Sequence, residues 1–310
     1  MPKISVIITN FNYGRYLGEA IRSVLDQEYR DFELIVVDDG STDGSREEIG
    51  KFQDPHLKAI FKANGGQLSA FNAGFLESTG DIICFLDADD CYQPGYLQAV
   101  SEIFEHYPEC GFLLTQMEYF GKRTGKALHY PGGYLGCNPF SAAARHVWVG
   151  AATSSCSLRR ETAEKFLPYR EDEDFWKTRA DDLLILGSDI VAAVKYVLDR
   201  PLVKYRVHGD NLFYGRNTPG GASYQARKAA AERFCAEVMK RNGLRFQDLL
   251  RQENENGNLL FRERFFSWLK IGRDRMVSLS EWLRCGGILL RGIRYPFKPV
   301  LRTNRKMGKA

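Results

Sequence analysis

The 310 residues suffice for one large α/β unit and a smaller appendage, and 44% hydrophobic with 26% charged residues describes a folded chain, not a disordered one. No apolar run approaches the roughly 18–20 residues of a spanning helix, the start at Lys3–Thr9 lacks a secretory signal, and seven scattered cysteines without a C-x-x-C pair argue against a disulfide framework or zinc site, so a cytoplasmic protein is expected. The net charge of +4 is uneven: thirteen Lys/Arg against three acids give residues 262–310 a charge of +10, leaving −6 for residues 1–261.

Short apolar runs alternate with helical patterns over the first 120 residues, the arrangement of βαβ units in a parallel sheet. Residues 3–9 read as a strand, 15–26 as an amphipathic helix with Leu17, Ile21, Val24 and Leu25 on one face, and 32–37 as a second strand. A helix around 43–52, a strand near 57–61, a helix over 67–78 and a strand over 81–86 follow. Pro94 suits the start of a helix reaching about 107. Residues 121–140, rich in Gly and aromatics, read as a long loop, and strand-like runs return near 152–158 and 191–198. Gly215, Pro219, Gly220 and Gly221 then suggest a boundary. Beyond it the pattern is helical over 222–242, 256–271 and 277–293, so the expected domains are 1–217 and a basic helical region over 218–310.

Acids gather where the strands end. The second strand finishes at Asp38-Asp39-Gly40-Ser41-Thr42-Asp43 and the fourth at Asp87-Ala88-Asp89-Asp90. Ligands of open α/β sheets bind beyond the carboxyl ends of the strands. Two carboxylate clusters there repel unless a cation lies between them, and a divalent ion holding a diphosphate answers that need. Asp-Asp-Gly-Ser alone reads equally as a turn followed by a helix cap, and Asp-x-Asp alone is short enough to occur by chance. No G-x-G-x-x-G follows the first strand and no P-loop is present, which disfavours a dehydrogenase or a P-loop NTPase.

Residues 3–90 resemble the N-terminal half of a family 2 glycosyltransferase with the A-type nucleotide-sugar transferase fold: a mostly parallel, Rossmann-like α/β sheet flanked by helices, here with a C-terminal helical extension. The resemblance rests on Ser5-Val-Ile-Ile-Thr-Asn-Phe-Asn12, Ile21-Arg-Ser-Val-Leu-Asp-Gln27, Val36–Asp43, Asn64-Gly-Gly-Gln67 with Asn72-Ala-Gly74, and Phe85-Leu-Asp-Ala-Asp-Asp90. It extends more loosely through Arg179-Ala-Asp-Asp-Leu183 to Pro201–Gly209. It implies an inverting transferase taking a nucleotide-diphosphate sugar, UDP favoured, with Mn²⁺ or Mg²⁺. Thr9 and Phe11 match positions that wrap the nucleobase, and Asp39 matches the acid that accepts its N–H. Gly65 and Gly66 let backbone N–H groups approach the donor, and Gln67 is placed to hydrogen-bond it. Asp87 is expected near ribose and metal, and Asp89 as a metal ligand. Asp90 is expected to cap the next helix. The base falls on Asp181, counted back from Pro201-Leu202, although the family's Glu-Asp is here Ala180-Asp181-Asp182. Asp182 is the runner-up and Glu171–Asp174 a rival, more simply read as a solvated charge run. Arg206 suits the diphosphate, and His208 metal ligation.

In the tail, Trp268, Leu269, Ile271, Trp282, Leu283, Ile288–Leu290 and Ile293 mingle with Arg and Lys, a composition suited to an anionic membrane surface. The same residues could simply pack on the catalytic unit. Peripheral contact at the inner membrane face would fit a saccharide or lipid-linked saccharide acceptor. Nucleic acid is not expected, because no recognition motif accompanies the charge. Two other readings stand against this one: a nucleotide-sugar-binding partner subunit without activity, and a nucleotidyltransferase, for which Asn10–Arg15 is a poor triphosphate loop.

Overall fold

Strand β1 (Ile4–Asn10) is buried along nearly its whole length, as a strand with neighbours on both edges and helices on both faces must be. The computed structural model describes residues 1–127, 130–146, 149–209, 211, 224–257 and 259–292. After β1 come α1 (Gly14–Leu25), β2 (Phe32–Asp38), α2 (Ser45–Ile49), β3 (Leu57–Phe61), α3 (Gln67–Glu77) and β4 (Ile82–Asp87). Each βα unit arises from its pattern. In α1 the residues Leu17, Ile21 and Val24 recur at helical spacing and are buried, while Arg22 faces water.

The chain continues through β5 (Cys91–Tyr92), α4 (Tyr96–His106), β6 (Cys110–Gly121), β7 (Gly125–Lys126), β8 (Gly133–Gly136) and α5 (Pro139–Arg145). A 3₁₀ turn (Thr153–Ser155), β9 (Cys156–Arg159), α6 (Arg160–Ala163), α7 (Asp181–Ile190) and β10 (Val194–Val207) follow. Among the described residues the strands form one ten-stranded sheet in the order β3-β2-β1-β4-β9-β6-β10-β5, with β7 on β6 and β8 on β10. The sheet is mixed: β1, β2, β3 and β4 are parallel, whereas β9 runs antiparallel between β4 and β6. Register aligns Thr9 with both Val37 and Asp87, so β1, β2 and β4 all end at one edge of the sheet.

Several expectations change. The stretch 121–140 is not one loop, since β6 runs to Gly121 and β7 and β8 extend the sheet. Glycine hides this in the sequence: Gly136 has φ +78°, and a Cβ there would stand 2.4 Å from the carbonyl oxygen of Asn256. The helix expected from Pro94 begins at Tyr96, with Gly95 at its N-cap. Helices α5 and α9 (Phe246–Asn256) were not anticipated.

Together with α9, helices α8 (Tyr224–Arg241), α10 (Phe261–Arg273) and α11 (Leu279–Gly292) form the C-terminal helical region. α8 packs on α7, while α9 and α10 pack on α5. Phe234, Leu250 and Ile271 therefore share an apolar cluster with Phe140, Phe166 and Leu184. The expected boundary at 217/218 lies outside the described residues, as do Ile293 and everything after it. On β10, Lys195 is buried, its ammonium held by Asp189 Oδ2 at 2.7 Å and by the Val149 carbonyl at 3.0 Å. That pair ties the C-terminal part of α7 to the sheet, and α7 carries Asp181 at its other end.

Candidate active site

The shared edge of β1, β2 and β4 opens into a cleft of about 1000 Å³. Thr9, Phe11, Asp39, Gln67, Asp87, Asp89 and Asp181 all line it. Parallel strands deliver Thr9, Asp39 and Asp87 to one place, and the start of α7 brings Asp181 in beside them.

Asp38 ends β2 and Asp39 follows it, and the two side chains take opposite sides of the chain. Asp38 accepts from Asn10 Nδ2 at 2.8 Å and from the Ser41 amide at 2.9 Å, closing the ends of β1 and β2. Asp39 turns the other way and organises the loop before α3. Its Oδ1 accepts from Lys62 Nζ at 2.6 Å and the Gly65 amide at 3.0 Å; its Oδ2 accepts from the Gly66 amide at 2.7 Å and Asn64 Nδ2 at 3.2 Å. Four donors fill an ionised carboxylate. Gly66 is required here: with φ +87°, a Cβ on it would lie 2.4 Å from Lys177 Cα.

Gln67, at the start of α3, is a cross-brace. Its Nε2 reaches Asp87 Oδ1 at 3.3 Å and Thr153 Oγ1 at 3.2 Å, while its Oε1 accepts from the Ala180 amide at 2.9 Å. One side chain therefore connects Asp87 to the residue preceding Asp181. Phe11 is 45% exposed at the cleft rim, where its ring face is open to the cleft.

Burial raises the Asp87 carboxyl to about 8, with Asp89 and Asp181 as repelling neighbours. Asp181 rises to about 7, from burial first and Asp182 second, against the opposing pull of Arg179. Asp90 is pushed well above the carboxylate range by burial and by Asp89. It does not cap α4; it accepts from Ser154 Oγ at 2.6 Å and the Arg206 amide at 2.8 Å, joining β4 to the 3₁₀ turn and β10. Raised carboxyls stabilise the fold below their unfolded pKa, and that stability is lost as pH rises through the folded value. The protein alone in EDTA is therefore expected to melt at progressively lower temperature as pH passes through about 7 and 8, the values for Asp181 and Asp87. Carboxyls held low, such as Asp43 and Asp172, act instead at the acid end. Calorimetry across this range is the check, and a melting temperature rising through it would contradict the assignment.

Asp181 and Asp182, adjacent at the start of α7, part company. Asp181 faces the cleft, whereas Asp182 is engaged by Arg179, with Nη2 to Oδ2 at 3.0 Å. Glu171–Asp174 are absent from the cleft lining: Asp172 binds Arg233 and Tyr169, Glu173 accepts from Asn72, and Asp174 is exposed.

Arg206 does not line the cleft either. Its Nε donates to the Asp89 carbonyl at 2.7 Å, its Nη2 to Glu19 at 2.5 Å, and its guanidinium lies between the rings of Tyr16 and Phe120. In this arrangement it buttresses Asp89 from behind and is turned away from any diphosphate in the cleft. His208 places Nε2 2.9 Å from Asp89 Oδ2, with Tyr13 and Tyr16 against its ring. The sequence motifs did not include Thr153, Lys177 or Arg227, and gave no role to Arg179. Thr153, Lys177 and Arg179 line the cleft. Arg227, on α8, feels Arg179, Asp182 and Asp181 electrostatically. Thr153 lies in a run of small residues without a pattern. Arg179, two residues before Asp181 and at φ +63°, could have been suspected from charge alone.

Two carboxylates, Asp87 and Asp89, with a cross-brace and a histidine behind them, suit a hard divalent cation. The Asp87 carboxyl, pushed up by burial and by the neighbouring Asp89, is one that such a cation would hold ionised. No three His, Cys, Asp or Glu side chains converge on one point among the described residues, so phosphate and water oxygens would complete such a site.

Residues 5–167 match the family model for glycosyl transferase family 2. An uncharacterized glycosyltransferase of Nostoc sp. is 40% identical over 216 residues, covering 67% of this chain and 66% of that protein. The match thus spans just under two thirds of that relative's length. TuaG of Bacillus subtilis, whose name places it in teichuronic acid biosynthesis, is 27% identical over 220 residues, covering 68% of this chain and 81% of its own. The crystal structure of S. aureus TarS 1–349 with UDP-GlcNAc superposes with a TM-score of 0.64 at 19% identity, over 94% of this chain and 81% of that one. At that identity the likeness establishes the fold: a mixed α/β sheet flanked by helices, with helices after it.

Proposed function

Because this chain belongs to glycosyltransferase family 2, we propose that it is an inverting, divalent-metal-dependent enzyme moving a sugar from a nucleotide-diphosphate donor, UDP favoured, to an acceptor hydroxyl. The acceptor is a saccharide or lipid-linked saccharide of cell-surface polysaccharide or glycolipid synthesis, reached from the cytoplasmic side. Residues 1–217 are the transferase unit in this reading, and 218–310 a basic helical region. One observation carries it: a single cleft holds an exposed aromatic ring, two carboxylates at a strand end and a third, half-buried carboxylate on a separate helix. The names of relatives support the rest, TarS having been crystallised with UDP-GlcNAc and with UDP, and TuaG being named for a surface polymer.

Asp181 takes the proton from the acceptor hydroxyl as its oxygen attacks the anomeric carbon. The bond to the diphosphate breaks on the opposite face, which inverts the centre. Asp87 and Asp89 would hold the cation, which when bound neutralises charge on the departing nucleoside diphosphate. Gln67 keeps Asp87 and the Asp181 segment at a fixed spacing. Phe11 stacks on the nucleobase and Thr9 borders it. For Asp39 to accept the N–H of a uracil, the Asn64 amide must yield its 3.2 Å contact, the longest of the four side-chain contacts. That amide is then free to donate to the neighbouring carbonyl of the base.

A thermal-shift screen of UDP-, GDP-, dTDP- and CMP-sugars with Mn²⁺ or EDTA tests the reading. A rise selective for one nucleotide and dependent on metal is expected, since a ligand of the folded state raises its melting temperature. No rise with any donor at millimolar concentration would sink it.

A further inference from the structure

Exposed large apolar side chains are concentrated in one part of the molecule. Eleven are exposed among the described residues, and seven of them fall between Leu260 and Leu290. On α10, Arg262, Phe265, Phe266, Leu269 and Arg273 follow one another at spacings of three, one, three and four. These place all five on one helical face. The opposite face buries Arg264, Ser267 and Ile271. On α11, Leu279, Leu283 and Leu290 form a second outward stripe, flanked by exposed Arg284 and Arg291, while Cys285, Ile288 and Leu289 are buried. The two helices are fastened side by side: Trp268 and Trp282 stack at 4.4 Å, and each indole N–H donates to the other residue's carbonyl at 2.9 and 3.0 Å. Packing of the helices on the rest of the protein therefore accounts for one face of each and leaves the apolar stripes uncovered.

We propose that this outer face of α10 and α11 docks on an anionic lipid bilayer, with the leucines and phenylalanines entering the headgroup boundary and the arginines contacting lipid phosphates. The charge decides for lipid. Lys270 and Arg273 share Asp274, and Arg262 pairs with Glu263, but Arg275, Arg284 and Arg291 have no acidic partner among the described residues. The chain then adds residues 293–310, which contain six Lys/Arg and no acid. A second copy would bring the same +10 segment against this one, and like charges of that size oppose association. Lipid supplies both the apolar phase and the negative charge. No described helix is long and apolar enough to cross a membrane, so the contact lies in the interface plane. The surface is separate from the cleft, and its test does not depend on the proposed chemistry.

The full-length protein is sedimented with vesicles of phosphatidylcholine alone and of phosphatidylcholine with about 30% phosphatidylglycerol. Wild type is expected to pellet with the anionic vesicles only, and to release as ionic strength rises from about 0.1 to about 1 M. Phe266→Asp with Leu283→Asp should weaken binding ~100-fold or more, and Arg284→Glu with Arg291→Glu by ~10-fold or more. All four positions are exposed, so melting temperature and donor-dependent thermal shift should remain those of wild type. Equal pelleting with both vesicle types, no pelleting, or undiminished binding by both variants would each overturn the proposal. Concentration-dependent self-association that the apolar variant abolishes would instead assign the face to a second copy, and salt-sensitive capture of an acidic protein without vesicle binding would assign it to such a partner.

Discussion

Asp181→Asn is expected to lower kcat by ~10²–10⁴-fold while leaving the metal-dependent thermal shift with donor unchanged, the usual worth of a general base whose removal does not disturb binding. Asparagine keeps the shape of the side chain and cannot accept the proton. Asp182→Asn is the control: its carboxylate is held by Arg179 and does not line the cleft, so its effect should fall on stability first. The pH profile separates the two further. A carboxylate base works ionised, so activity is lost as pH falls through its pKa, which burial has raised to about 7 in the unliganded protein. A cation bound beside Asp87 would draw that value down. An acid limb seen in wild type and missing from the residual activity of Asp181→Asn is the expected pattern. If Asp181→Asn turns over as fast as wild type, the base is elsewhere, and Asp182 or Glu171–Asp174 must be tested next.

Asp89→Ala should abolish the rise in melting temperature that donor and Mn²⁺ produce together, and should lower transfer by ~10³-fold or more, the scale of losing Lewis-acid assistance to the leaving group. The same substitution should leave the melting temperature of the free protein little changed, because loss of the 2.9 Å contact from His208 Nε2 to Asp89 Oδ2 opposes the relief of repulsion. Asp89 is a repelling neighbour of both Asp87 and Asp90, and removing it relieves two buried carboxyls. Loss of donor response without loss of fold distinguishes a ligand from a structural residue. Wild-type activity that survives EDTA would remove the metal from the mechanism. A metal response persisting in Asp89→Ala would move the ligand set away from this strand end.

Much of the site was legible because its residues sit in short local patterns. Asp38-Asp39-Gly40 and Asp87-Ala88-Asp89 announce themselves at the ends of apolar runs, and the sheet then brings those ends to one edge. The roles of Arg206 and Gln67 were not legible. Both are polar residues near a motif, and nothing local reveals that one supports Asp89 from outside the cleft and the other bridges Asp87 to Ala180. Asp90 illustrates the same gap: before Pro94 and a helix it reads as a cap, whereas Ser154 and Arg206, distant in sequence, are its partners. Thr153 carries no motif and reaches the cleft because the 3₁₀ turn packs against β4, and Arg179, within a loosely matching stretch, reaches it from just before α7.

By itself the sequence determined the βαβ order of the first 90 residues, the family, the carboxylates at the strand ends and the basic character of the C-terminal region. The element order and the charge follow from composition and from periodicity within about ten residues, which backbone geometry converts into strands, helices and faces, whereas the family rests on the resemblance of the motifs between Ser5 and Asp90. The tertiary structure alone decided that Asp181 faces the cleft while Asp182 turns to Arg179, that Asp39 holds a loop, and that β9 runs against its neighbours. It also decided which face of α10 and α11 stays uncovered. These outcomes rest on contacts between residues far apart in the chain, where burial and neighbouring charge set the direction of a side chain and its protonation, and no local pattern encodes either.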